Sequence, residues 1–145
     1  MREWSRHRWV LPVVALGGAV GASGRHAIDL LWPAQAGGFP WGTFAVNVSG
    51  CLLIGVLMVH VVEVGRTHPL VRPFLGVGVL GGYTTFSTYA VQATSLTTAE
   101  RPALALGYLF GTLAAAMAAV VAGVFAARTL VGARHRWGRN RGGAR

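Results

Sequence analysis

Gly81-Gly82-Tyr83-Thr84-Thr85-Phe86-Ser87-Thr88-Tyr89 lies within an apolar stretch long enough to cross a membrane, yet it is poorly made for facing lipid. Two glycines and the hydroxyls of Thr84, Thr85, Ser87 and Thr88 weaken the helix here. In hydrocarbon, weak helical backbone is tolerated only where protein or a water-filled cavity covers it. The segment is therefore read as the working part of an all-helical membrane fold.

It belongs to the third of four apolar segments, at about 9–31, 43–62, 73–96 and 103–127, none of which alternates as a strand would. A spanning helix takes about 20 residues. Four spans and their connections thus use nearly all of the 145 residues, 53% of which are hydrophobic and 12% charged. The expected organisation is one four-helix membrane domain over 1–145 with short basic tails at 1–8 and 128–145. The first run follows Arg6-His7-Arg8 as a secretory signal would. It stays apolar to Leu31, longer than the roughly 7–15 residues of a signal core, and is read as a retained span. Cys51, the single cysteine, is read as a small packing residue in span two.

All 13 basic side chains are arginine, and they are distributed unevenly. Arg2, Arg6 and Arg8 precede span one, Arg66 and Arg72 separate spans two and three, and six arginines from Arg128 onward follow span four. The loop between spans one and two has no basic residue, and the one between spans three and four has only Arg101. The positive-inside rule puts both termini in the cytoplasm. The net charge of +9 is read as an orientation signal rather than as a nucleic-acid footprint, because Arg134-His135-Arg136-Trp137-Gly138-Arg139 offers no regular basic face.

Polar groups at membrane depth are costly and mark candidate sites. Arg25 follows the glycine spacing Gly17 to Gly21, which permits close helix approach. It is either a structural anchor on carbonyls or an anion-attracting charge at a pore mouth. Asn47 lies one turn into span two behind a candidate cap at Thr43, and serves either a helix–helix contact or donation to a ligand. Its match to a glycosylation sequon lies within a span and is discounted. In span three, Thr84, Thr88, Gln92 and Ser95 fall on one helical face, with Phe86 and Tyr89 roughly opposite. An aromatic ring is electropositive at its edge, so such rings can face an anion while excluding water.

The acids, Glu3, Asp29, Glu63 and Glu100, lie near span ends or in tails and loops. No central carboxylate is available to carry protons, which disfavours a small multidrug/proton exporter. The chain has no Cys/His cluster, nucleophile–base pair or phosphate loop, so it does not read as an enzyme.

Three motifs, Gly17-Gly18-Ala19-Val20-Gly21-Ala22-Ser23-Gly24-Arg25, Gly42-Thr43-Phe44-Ala45-Val46-Asn47-Val48-Ser49-Gly50 and the Gly81 to Tyr89 stretch, together resemble the Fluc/CrcB fluoride channels; Tyr108 in span four also suits the pattern. The resemblance implies a passive, fluoride-selective channel in the inner membrane that exports fluoride and limits its toxicity. It further implies an antiparallel dimer of four-helix subunits, a third span broken at its middle, and two narrow pores. A structural, untransported sodium ion would be held at the dimer centre by backbone carbonyls of Gly81 and Thr84. The implied pore residues are Asn47 as a donor, Phe86 as an edge-on ring, and Ser87 and Thr88 as a polar track. Where the family has a second phenylalanine this chain has Tyr89, whose hydroxyl either donates to fluoride or obstructs the track. That leaves room for a non-conducting scaffold subunit as an alternative. A subunit that pairs with its own inverted copy should show little arginine asymmetry, so the expected partner is an oppositely oriented homologue.

Overall fold

The computed structural model describes the backbone of residues 2–63 and 68–142 and the side chains of residues 9–62 and 68–133. All regular structure among them is helical. α1 spans Arg2–Leu31, α2 spans Trp41–Glu63 and α5 spans Pro102–Gly142. Between α2 and α5, the third apolar segment forms two pieces. α3 is a π-wound stretch, Arg72–Leu80, continued by one α-helical turn, Gly81–Tyr83. α4 is Ser87–Thr98. At Thr84 the backbone turns extended, with φ −72° and ψ 155°, and no helix resumes until Ser87.

Two stretches, Trp41–Val62 and Pro102–Ala133, are long and apolar enough to cross a membrane, each with a mean hydropathy of 2.2. α1 is diluted by glycines, Ser23, Arg25 and His26, and the division of the third segment leaves α4 with 12 residues. α5 outlasts the segment expected from the sequence. Its 41 residues rise about 60 Å, twice a hydrocarbon core of ~30 Å. The tail from residue 128, read from sequence as lacking a regular face, continues this helix to Gly142. The arginines of residues 1–8, Arg66 and those from Arg134 onward lie outside the residues whose side chains are described.

Helices cannot associate in lipid simply by hiding apolar surface, because the surrounding tails are equally apolar; close contact between small residues takes over. α1 meets α3 in this way. A methyl group on Gly21 would overlap the Val79 carbonyl, and one on Gly82 would overlap the Gly18 carbonyl. α2 and α5 make the same arrangement, with Gly55 against Val120 and Gly123 against Leu52. α4 joins through a small core of Ala93, Leu96, Ala105 and Tyr108. The connection from α1 to α2 turns at Gly37, whose φ of +68° favours glycine, and is pinned where the Phe39 ring meets Trp41, Phe44 and Tyr108. On the outside, Leu106, Phe110, Leu113, Met117, Val121 and Phe125 recur at three- or four-residue spacing along α5 and stand exposed, a face suited to lipid.

Two local expectations change. α2 begins at Trp41, two residues before the proposed cap, and Thr43 is a buried helical residue beside the Tyr108 hydroxyl. The polar stripe is cut because Thr84 precedes the interruption and Thr88 follows it. Gln92 accepts from the Tyr108 hydroxyl at 3.0 Å, and Ser95 bonds back to the Val91 carbonyl.

Candidate functional site

The interruption between α3 and α4 is held by side chains. In a continuous α-helix each N–H donates to the carbonyl four residues back. After the π-wound stretch the pattern holds at Thr84, whose N–H donates to the Leu80 carbonyl at 3.0 Å, joined there by its own hydroxyl at 2.9 Å. It then stops. The Thr85 N–H donates to Asn47 Oδ1 at 2.9 Å, and the Asn47 amide nitrogen donates to the Thr85 carbonyl at 3.0 Å. Asn47 thereby pairs with Thr85 as a neighbouring strand would. The Thr88 N–H donates to Thr85 Oγ1 at 3.2 Å, whose hydroxyl donates to Thr88 Oγ1 at 3.0 Å. Arg25 Nε donates to the Gly82 carbonyl at 3.3 Å, an anchoring contact within the subunit. Gly50 lies under the interruption, where a methyl group would overlap the Thr84 side chain.

Beside this backbone lies a groove of about 320 Å³ lined by Asn47, Thr85, Phe86, Tyr89, Thr112 and their neighbours. The Phe86 and Tyr89 ring centroids are 5.9 Å apart with planes at 46°, and Tyr89 stacks in turn on Tyr108 at 5.1 Å. The Tyr89 hydroxyl donates to the Leu109 carbonyl at 2.6 Å, which ties it to α5. Tyr108 is fully buried behind Tyr89 and supports it from the far side of the groove. Phe86 is 80% exposed on the subunit surface, and Ser87 is exposed beside it.

Thr112 was not singled out in the sequence. It is 3% exposed, and its Oγ1 is buried without a hydrogen-bond partner among the described residues. A buried hydroxyl left unpaired costs about 1–3 kcal/mol, and most threonines in membrane helices avoid this by bonding to their own backbone. A hydroxyl one turn beyond Tyr108 in an otherwise apolar span was the available signal. The groove thus combines ring edges and a spare amide N–H on Asn47, with the Thr112 side chain in its wall.

Helices of membrane-spanning character, packed through glycines around an interrupted segment and a groove of neutral donors and rings, define a small helical membrane protein. The chain belongs to the CrcB family: residues 12–124 match the family model described as "CrcB-like protein, Camphor Resistance (CrcB)". Among curated relatives, it is 57% identical over 110 residues to "Fluoride-specific ion channel FluC 2" of Streptomyces avermitilis, covering 76% of this chain and 70% of the relative. It is 53% identical over 128 residues to "Fluoride-specific ion channel FluC 1" of Streptomyces coelicolor, covering 88% and 83%. It is 52% identical over 127 residues to "Fluoride-specific ion channel FluC 2" of Nocardia farcinica, covering 88% and 91%.

Proposed function

We propose that this chain is a subunit of a passive fluoride-specific channel, not an enzyme, that lets fluoride leave the cytoplasm. Its relatives' shared name supports the ion, and the observation that carries the site is the groove of Asn47, Phe86, Tyr89 and Thr112 beside a helix interruption that Asn47 itself pairs with. Fluoride is small and holds water tightly, so a pore must replace that water with donors. Asn47 keeps one N–H beyond the one it gives to Thr85, and Thr112 has its hydroxyl proton. Phe86 and Tyr89 add positive ring edges without a fixed charge that would trap the ion. Ser87 and Thr88 continue the polar surface past the interruption. An inside-negative membrane drives the anion outward with about 2.3 kcal/mol per charge per ~100 mV, so no energy-coupled step is required.

An antiparallel dimer accounts for the groove being open in one subunit, since the interrupted backbone beside it needs protein cover at this depth. The carbonyls of Gly81 and Thr84 suit a structural sodium ion at the dimer centre. Their usual N–H donors bond elsewhere, Gly81 is exposed with open space around it, and a hard cation takes oxygen ligands. The ion would supply only positive charge that ties two such backbones together. In this reading the subunit lies in the inner membrane; the arginine asymmetry supports a single orientation with cytoplasmic termini, and hence an oppositely oriented homologue as its partner.

Fluoride efflux from liposomes tests this reading, using the chain alone and with a FluC paralogue of its source. Efflux only from the pair is expected. Efflux from this chain alone would overturn obligate pairing, and an assembled pair that passes no fluoride would overturn the channel reading.

A further inference from the structure

A helix does not release two carbonyls unaided. Were α3 and α4 one continuous α-helix, Thr85 N–H would donate to the Gly81 carbonyl and Thr88 N–H to the Thr84 carbonyl. Asn47 takes the first of these donors, and Thr85 Oγ1 takes the second. We infer that Asn47 and Thr85 are positioning residues for the cation site: by withdrawing those two N–H groups they leave the Gly81 and Thr84 carbonyls available as ligands. This inference rests on the sodium site proposed above and adds the residues that create it.

The neighbouring carbonyls sharpen the assignment. Leu80 receives two donors from Thr84, Gly82 receives Arg25 Nε, and Thr85 receives the Asn47 amide. Side chains satisfy these three, whereas at Gly81 and Thr84 the side chains act on the donor and not on the acceptor. The ψ of 155° at Thr84 turns its carbonyl out of the helical direction. The orientation of the Asn47 amide is set by chemistry, because its oxygen must face an N–H and its nitrogen a carbonyl. Asn47 also lines the fluoride groove. One side chain therefore touches the permeation path and shapes the cation site, which couples the two through the backbone of Thr85.

The test measures sodium binding to the purified full-length protein, assembled with its partner, by calorimetric titration and by the sodium dependence of thermal unfolding. Thr85→Ser keeps the capturing oxygen and is expected to bind sodium within about twofold of wild type; Thr85→Val removes it and is expected to lose about tenfold or more. Asn47→Asp keeps an acceptor for the Thr85 N–H while placing a carboxylate in the groove. It is expected to retain sodium binding within about threefold while losing fluoride flux, since a like charge repels the anion. A merely structural role would lower sodium binding and stability together in all three variants. Equal losses in the Ser and Val variants, or wild-type binding in Thr85→Val, would overturn the inference. Should Thr85→Val not fold, loss of sodium binding in Asn47→Asp would overturn it on its own. A wild-type channel that conducts fluoride yet shows no sodium response would overturn the cation site itself and this inference with it.

Discussion

At Tyr89, where the resemblance implies a phenylalanine, the geometry shows where the additional oxygen goes. The hydroxyl is committed to the Leu109 carbonyl, while the ring stays beside Phe86. Tyr89→Phe is therefore expected to cost about 1 kcal/mol of stability, the worth of one hydrogen bond. Its effect on flux should stay within about threefold, since the ring edge is retained. Tyr89→Ala removes the edge and is expected to lower flux at least about tenfold in the same liposome assay. Thr112 makes a sharper case. Thr112→Val replaces an unpartnered hydroxyl with an isosteric methyl, so the protein should be no less stable, because an unpaired buried polar group is removed. Flux should nevertheless fall by about tenfold, the worth of one donor to a desolvated ion. Thermal unfolding and fluoride efflux on the same preparation would check both halves. A stable, fully conducting variant would remove Thr112 from the pore.

The contact between α1 and α3 is made backbone to backbone. Gly21 and Gly82 each face a carbonyl that cannot move aside as the end of a flexible side chain can. Gly21→Ala is expected to destabilise the subunit by about 1–3 kcal/mol through overpacking. It should also shift α3, and with it the interruption at Thr84, so flux and stability fall together. Gly132→Ala provides the control. Among the described residues nothing lies within 4 Å of a methyl group there, and a helical Gly→Ala change should add up to about 1 kcal/mol. Thermal unfolding in detergent distinguishes the two, and equal behaviour would show that the glycine contacts do not hold α1 to α3.

Over the whole molecule, arginine distribution and exposed surface address different questions. The arginines bear on which side of the membrane each end is expected to occupy. Exposed apolar rows on α5 suit lipid, while the interrupted backbone at Thr84 needs a protein neighbour. In a Cys51→Ser background, a Gln35→Cys variant in the α1–α2 connection should react with a membrane-impermeant thiol reagent added outside the cytoplasmic membrane. A cysteine added after Arg145 should not react. Labelling of both positions in comparable amounts would mean that the chain inserts both ways, and pairing with its own inverted copy would then suffice.

How much of this was legible beforehand follows from what each signal depends on. Hydrophobic length, glycine spacing and charge bias are local, so the helical segments, the close approach at Gly17 and Gly21, and the orientation signal could be read from the sequence itself. Asn47, Phe86 and Tyr89 also stood out, because polar and aromatic groups in an apolar span need a reason to be there. The polar stripe was misread because helical periodicity assumes an unbroken helix. Its interruption is set by Asn47, 38 residues from Thr85 in the chain, and no local pattern contains that bond. For the same reason Tyr89's hydroxyl had no assigned partner and Thr112 went unnoticed. A hydroxyl's role depends on what lies within about 3 Å of it, and for groups on different helices only tertiary packing decides that.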